Sequence, residues 1–383
     1  MNQTNLLIYG ATGSIGDSVL SLVRNNKDQF NIIGMTCNNN IKKLSKLSEE
    51  FNTKNIGIAR FNKNINYKKY FPGKKIYFGL EEFPDLIKIK SDVIILGISG
   101  GSILNLALNI AKSGKVIGMA NKECIVSLGS IIFDLAKLNK TKIVPLDSEH
   151  NSIYQLLKAY KHSYESITIT ASGGPFLKRK RNELRDVTIE DALAHPIWRM
   201  GKKISLDSAT MINKGLELIE AKYFFDIDVN KINILIHPQA IIHGLISFHD
   251  GSVISFMSQP DMRVPISNLL FKNKRIKLND LSLDLANIKT LNFLSVDTVK
   301  FPAVRIAREV AVLGGLAPHG FNYINDKLTN LFMKKKIGFL DIVNFNEITL
   351  NKFFSSNPNQ KKPSINDIVE FNKWIDRNIY LGE

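Results

Sequence analysis

Cysteine is scarce in this chain. Its two thiols, Cys37 and Cys124, lie far apart with no C-x-x-C spacing, which excludes a disulfide framework and a zinc knuckle and fits a reducing cytoplasm. The start of the sequence has no basic region leading into an apolar core and cleavage site, so no signal peptide is expected. Long hydrophobic runs are absent too. The uncharged stretch 93–111 is interrupted by Gly97, Ser99, Gly100, Gly101, Ser102, Asn105 and Asn109, and reads as strand, turn and helix rather than a membrane span. No internal repeat is visible. Negative charge is in short supply, with 35 Asp and Glu against 51 Lys and Arg, a net charge of +16. Such basicity raises nucleic acid as a partner, yet the lysines are scattered, and the one tight run, Lys178 to Arg181, is short and has no interleaved aromatics. We expect no nucleic-acid partner and no membrane, and read the charge as favouring phosphorylated small molecules.

What is present points to an α/β protein. A length of 383 residues with 44% apolar content suits two or three globular domains. Over the first 145 or so residues, apolar strands at 6–9, 32–36, 92–96, 115–119 and 142–146 alternate with helical segments. That alternation predicts a Rossmann-like, doubly wound parallel sheet with helices on both faces. The first strand runs into Gly10-Ala-Thr-Gly-Ser-Ile-Gly16, a glycine turn that opens a helix. Backbone can approach a dinucleotide's pyrophosphate there, with helix N–H groups facing it; a tight packing corner is the alternative. After the second strand, Asn38 to Asn40 offer no carboxylate for a ribose 2′-hydroxyl, while Lys42 and Lys43 follow closely, which leans toward NADP. The expected organisation is a cofactor domain at 1–146, a metal- and substrate-binding α+β domain at 147–284 with a flap at about 177–203, a linker at 285–303, and a small helical domain at 304–383.

Several clusters carry chemistry. Asp147-Ser148-Glu149-His150 ends an apolar strand; strand alternation would aim Asp147 and Glu149 at one spot, where their repulsion calls for a cation such as Mg²⁺ or Mn²⁺. The bland alternative is a helix N-cap. Asn213, Glu217 and Glu220 share one helical face beside Lys214, either a ligand site or a solvated face. Asp207-Ser208-Ala-Thr210 and Ser172-Gly-Gly-Pro175 add hydroxyls and flexible backbone for an anion, the latter equally readable as a plain turn. His195-Pro-Ile-Trp198-Arg-Met200-Gly201 places an aromatic and a thioether in a polar stretch, as a closing lid would or as ordinary core would. Asn121-Lys122-Glu123 emerges at the carboxyl edge of the first sheet, where such sheets bind ligands. His243 lies on a strand of the second domain, where a lone histidine is as readily structural.

Taken together, Gly10 to Gly16, Asn121-Lys-Glu123, Asp147-Ser-Glu-His-Asn151, Ser172-Gly-Gly-Pro-Phe176, Lys202 to Met211, Asn213-Lys-Gly-Leu-Glu217, Ile236-His-Pro-Gln239 and Gln259-Pro-Asp-Met-Arg263 resemble the 1-deoxy-D-xylulose 5-phosphate reductoisomerase family, in order and interval, over nearly the whole chain. The resemblance implies a cytoplasmic homodimer of the non-mevalonate isoprenoid pathway, using NADPH and one Mn²⁺, Mg²⁺ or Co²⁺ ion to make 2-C-methyl-D-erythritol 4-phosphate. It implies metal ligands at Asp147, Glu149 and Glu217, substrate-hydroxyl contacts at Ser148 and Lys122, and phosphate contacts at Ser172, Ser208, Asn213 and Lys214. His195, Trp198 and Met200 match the family's flap, and His243 its active-site histidine. Cofactor contacts fall on Gly10, Thr12, Gly13, Ser14, Ile15, Asn39, Asn40, Asn121, Glu123 and Gly201. Lys122, Glu149, His195 and His243 are the candidate catalytic residues.

The chain departs from the family pattern in three places. Asn38 and Asn39 stand where Gly-Lys or Gly-Arg is frequent, Ile197 and Arg199 replace Asn and Ser in the flap, and Asn322 to Asp326 occupy a stretch where small residues and a Glu are usual. Two other functions fit the residues alone. One is an NADP-dependent dehydrogenase of another phosphorylated aldehyde, and the other a non-catalytic NADP-sensing regulator.

Overall fold

The computed structural model describes residues 3–160, 164–197, 201–357, 359 and 362–382. Two compact units emerge, each built from separated stretches of chain. The first comprises Met1–Cys124, Ser130–Asn151 and Asp261–Asn279. Its strands β1 (Thr4–Tyr9), β2 (Phe30–Cys37), β3 (Asn55–Ile58), β4 (Lys75–Phe78), β5 (Val93–Leu96), β6 (Val116–Met119) and β7 (Lys142–Pro145) form one sheet in the order β4-β3-β2-β1-β5-β6-β7. Every neighbouring pair is parallel. Leu6, Leu7, Ile8 and Tyr9 of β1, and Ile94, Ile95 and Leu96 of β5, are fully buried, as expected of strands covered on both faces. Strand order reverses between β1 and β5, which opens a crevice at their carboxyl ends.

The sequence reading missed β3 and β4. β4 is an edge strand with Lys75 exposed, and in β3 the only two apolar side chains are separated by Gly57, where a Cβ would meet Thr36 Cγ2 at 2.7 Å. Residues 261–279, read above as part of the second domain, return to this unit. Phe271 meets Phe30 edge-on at 5.2 Å, and Leu269 Cδ2 fills the place that a Cβ on Gly118 would take. Cys37 and Cys124 are buried and free, and burial pushes the Cys37 thiol up to about 12.

The second unit comprises Ile125–Gly129, Ser152–Pro260 and Asp280–Glu383. Its mixed sheet runs β11-β10-β8-β9-β12, built from β8 (Tyr164–Ala171), β9 (Ile232–Ile236), β10 (Ile242–Phe248), β11 (Val253–Met257) and β12 (Leu294–Ser295). The β10–β11 hairpin turns at Asp250-Gly251, with Gly251 at φ +83°, as that dipeptide predicts. The stretch expected as a plain linker contributes more. Its residues Leu294 and Ser295 extend the sheet edge beside β9, and Phe293 stacks on His237 at 5.1 Å. The C-terminal part is helical, with segments at Ala303–Leu313, Ala317–Met333, Phe339–Ser356 and Ile365–Asn378. Fully or nearly fully buried Phe321, Leu328, Ile342, Phe371 and Ile375 form its core. Among the described residues, no helix is long and apolar enough to cross a membrane.

Candidate active site

The glycine turn links β1 to helix α1 (Ser14–Arg24). Gly10 has φ +87°, and a Cβ there would sit 2.7 Å from Gly97 O; a Cβ on Gly16 would sit 2.4 Å from Ala11 O. Both glycines are demanded by packing. Gly13 differs, because its Cβ would meet only Gly10 O at 3.5 Å, and it caps α1 with no side-chain bond. Gly13 and Ser14 are exposed, so the backbone at the start of α1 is open to approach, as anion binding at a helix N-terminus requires. Thr36 pins the turn, its Oγ1 accepting from Gly10 N at 3.0 Å. Lys43 Nζ donates to Thr12 O at 3.1 Å and to Asp17 at 2.7 Å, so this lysine braces the turn. Asn38, Asn39 and Asn40 are exposed, and Asn40 also caps helix α2 (Ile41–Glu50) by accepting from Lys43 N at 3.2 Å.

A second glycine loop follows β5, and the sequence reading passed over it. Gly100 has φ +93°, and neither Gly100 nor Gly101 has any atom within 4 Å of an added Cβ. Asn121 shapes this loop. Its Nδ2 donates to Ile98 O at 2.7 Å and Gly100 O at 3.1 Å, while its Oδ1 accepts from Cys124 N at 2.6 Å. The available signal was an apolar strand running into glycines, the same pattern as at β1.

Where β6 and β7 end, two more candidates meet. Lys122 opens helix α3 (Lys122–Leu128), and its Nζ makes a short hydrogen-bonded ion pair with Asp147 Oδ2. Strand β7 stops at Pro145, and helix α4 (Ser148–Ala159) starts at once, so the strand alternation expected for Asp147 and Glu149 does not occur. Asp147 instead accepts from Glu149 N at 3.2 Å and, through its carbonyl, from Asn151 N at 2.8 Å. Its other side-chain oxygen serves Lys122. Ser148 Oγ donates to Glu149 Oε2. Fully buried His150 lies 3.5 Å from Asp147, a neighbour that the sequence reading did not single out.

In the second unit, helices α5 (Lys202–Ala209) and α6 (Ile212–Phe225) join through Met211, which holds a left-handed φ of +62°. Lys214, Glu217 and Glu220 are 4%, 1% and 3% exposed, so the solvated-face reading fails. A buried carboxylate needs charged or hydrogen-bonded partners. Glu217 has Asn213 Nδ2 at 2.6 Å and a very short pair with Lys214 Nζ. Gly173 and Gly174 adopt φ +87° and +67°, and a Cβ on Gly174 would lie 2.8 Å from Ser208 O, which brings the Ser172 turn against α5. His195 Nδ1 accepts from Ile197 N at 3.2 Å, so the neutral ring carries its proton on Nε2 and donates to Ser172 Oγ at 3.1 Å. Burial lowers the His195 pKa, favouring that neutral form. Gly201 stands exposed at the start of α5. His243 is buried on β10 and donates from Nε2 to Ser258 O at 3.2 Å. Trp198, Arg199 and Met200 lie outside the described residues.

Asp147, Glu149 and Glu217 form an acidic group able to hold a metal ion, and an all-oxygen donor set suits Mg²⁺ or Mn²⁺. Profiles described as 1-deoxy-D-xylulose 5-phosphate reductoisomerase and its C-terminal domain match residues 6–129 and 143–225, and one described as DXP reductoisomerase C-terminal domain matches 257–378. A curated 1-deoxy-D-xylulose 5-phosphate reductoisomerase of Clostridium botulinum is 38% identical over 379 residues, 97% of this chain and 98% of its own. This chain belongs to the 1-deoxy-D-xylulose 5-phosphate reductoisomerase family. The Zymomonas mobilis relative is 38% identical over 92% of this chain and 91% of its own. Its family member solved with NADPH superposes with a TM-score of 0.91 at 35% identity, covering 99% of this chain and 98% of that one. A DOX-P reductoisomerase solved with NADPH, fosmidomycin and magnesium gives 0.89 at 32% identity, covering 98% and 97%.

Proposed function

We propose that this chain converts 1-deoxy-D-xylulose 5-phosphate to 2-C-methyl-D-erythritol 4-phosphate, using NADPH and one divalent ion held by Asp147, Glu149 and Glu217. The observation that carries the reading is Glu217, a carboxylate buried with Asn213 and Lys214 on the first turns of α6. Lys214 and Asn213 balance that charge in the ion-free chain, and the grouping of Glu217 with two further carboxylates, Asp147 and Glu149, is what favours a divalent cation. When bound, the ion supplies Lewis acidity to the keto-sugar oxygens, and NADPH supplies a hydride.

The chain's own residues do the rest. Ser148 and Lys122 orient the sugar hydroxyls. Ser172, Ser208, Asn213 and Lys214 grip the phosphate, and this remote binding energy positions the reacting carbons. Neutral His195 holds the Ser172 hydroxyl. His243 backs the substrate. Gly10, Thr12, Gly13, Ser14 and Ile15 hold the cofactor's pyrophosphate, Asn39 and Asn40 its adenosine end, and Asn121, Glu123 and Gly201 its nicotinamide half. The protein acts as a cytoplasmic homodimer. Supporting the dimer, Leu285, Leu291, Phe293, Leu294 and Val299 are exposed around the edge strand β12, and apolar surface at an open sheet edge invites a partner.

Manganese titration followed by electron paramagnetic resonance tests the site. One ion should bind per chain, and Asp147→Asn or Glu217→Gln should each abolish that binding. Unchanged manganese affinity in Glu217→Gln contradicts the assignment.

A further inference from the structure

Helix α5 carries Ser208 but has little of its own to hold it in place. It is eight residues long, below the length at which a helix is stable alone, and its first two residues are lysines. Its inward face holds a charge. Asp207 is 2% exposed, which is costly unless every oxygen is served. Asn325 Nδ2 donates to Asp207 Oδ1 at 2.7 Å, and Lys203 Nζ to Oδ2 at 3.0 Å. Lys203 also reaches Asp326 Oδ1 at 3.1 Å. Asn325 and Asp326 both lie on the C-terminal helix Ala317–Met333. The residue after Asp207 is Ser208, whose carbonyl lies against the Gly174 turn.

We propose that Asp207 is a positioning residue for phosphate recognition, fixing the rotation of α5 through Lys203, Asn325 and Asp326 so that Ser208 faces the same anion as Ser172, Asn213 and Lys214. The proposal rests on the reading of those four residues as phosphate contacts. A buried ionic network is a poor source of net stability, because apolar packing of the same volume does as well. Its use here is register. Along one helical turn, a rotation of one residue would carry Ser208 about 100° away from the Ser172 turn, and an apolar face of Leu206 and Ala209 alone does not forbid that. Charge and hydrogen-bond geometry do. The C-terminal helices thereby act on the substrate's phosphate without touching it.

The test uses the full chain, with inorganic phosphate as probe and phosphorus NMR titration as readout, beside Michaelis constants for the sugar phosphate and NADPH. Asp207→Asn keeps shape and loses the pair with Lys203; Asn325→Ala and Asp326→Ala remove the support from the far side, should Asp207→Asn fold poorly. Each of these should weaken phosphate binding and raise the sugar-phosphate KM by about tenfold, with kcat and the NADPH KM within about twofold. Asp326→Glu should retain near wild-type phosphate affinity. Unchanged phosphate affinity in folded Asn325→Ala and Asp207→Asn, whatever their melting temperatures, overturns the positioning role. Absence of phosphate binding by the wild-type chain overturns the underlying reading of the site, and the proposal with it.

Discussion

The two regions of this molecule that we propose for phosphate are built by opposite means. At the β1–α1 turn the binding groups are backbone N–H donors, and side chains are removed: Gly10 and Gly16 allow the turn to close, while Gly13 leaves it bare. At the α5–α6 junction the binding groups are the side chains of Ser172, Ser208, Asn213 and Lys214, and the backbone supplies only the left-handed corner at Met211 and the paired glycines at 173 and 174. The first design needs a few contiguous residues. The second needs a turn, two helices and a supporting network to arrive together, and it keeps a carboxylate, Glu217, paired with its one lysine, Lys214. A backbone cradle is suited to a cofactor held the same way in every cycle. A side-chain cluster next to metal-binding carboxylates is suited to a substrate whose charge must be placed against an ion.

Breaking the second region without the first gives the largest effect. Glu217→Gln should lower kcat at saturating metal by at least about a thousandfold, since it removes a charge at the reacting centre, while NADPH affinity measured by fluorescence stays within about twofold. Equal loss of NADPH binding would erase the contrast between the regions.

The scaffold beneath the side-chain cluster should show its own pH dependence. His319 is 3% exposed and lies between Ser127 Oγ at 2.9 Å and Asn372 Oδ1 at 2.7 Å. Burial lowers its pKa from 6.5 to about 4. Because the folded value is depressed, the neutral ring's stabilisation is complete above the unfolded pKa and is lost as pH falls through the folded one. Unfolding free energy from urea melts should thus drop by about 3 kcal/mol between pH 7 and pH 4 on this account. In His319→Gln the drop over the same range should shrink by that amount.

Gly10→Ala is the converse of Glu217→Gln. A Cβ forced to φ +87° and 2.7 Å from Gly97 O should cost about 2 kcal/mol of stability and weaken NADPH binding, with manganese affinity preserved. The smallest effect concerns cofactor choice. Asn39 is exposed beside the cap of α2, and Asn39→Arg should raise the preference for NADPH over NADH by about fivefold, the size of one exposed ion pair. No change in that ratio would remove Asn39 from the 2′-phosphate site.

The same contrast explains what the sequence disclosed. The β1 turn was legible because its pattern is local, and the five strands β1, β2, β5, β6 and β7 because burial on both faces writes them as largely continuous apolar runs. β3 and β4 were not: in β3 the only two apolar side chains, Ile56 and Ile58, are separated by Gly57, and β4 stands at the sheet edge with Lys75 exposed. Glu217 illustrates the limit of periodicity: helical spacing placed Asn213, Glu217 and Glu220 on one face, yet only tertiary packing makes that face buried. At Asp147 the order of events differed from expectation, since the helix cap and the ion pair with Lys122 coexist on one side chain. The Gly100 loop shows in the sequence only as glycines interrupting an uncharged stretch, which does not by itself distinguish a ligand loop from a plain turn. Asn325 and Asp326 had no local signal for these roles, for their partners, Asp207 and Lys203 respectively, are more than a hundred residues away.

The most direct test is an absorbance assay of NADPH with 1-deoxy-D-xylulose 5-phosphate, run with Mn²⁺ or Mg²⁺ and again with excess chelator. One NADPH should be oxidised per sugar phosphate consumed, with the branched polyol phosphate as product and no oxidation once the metal is removed. Oxidation that persists in chelator, or none with metal present, would contradict the proposed function.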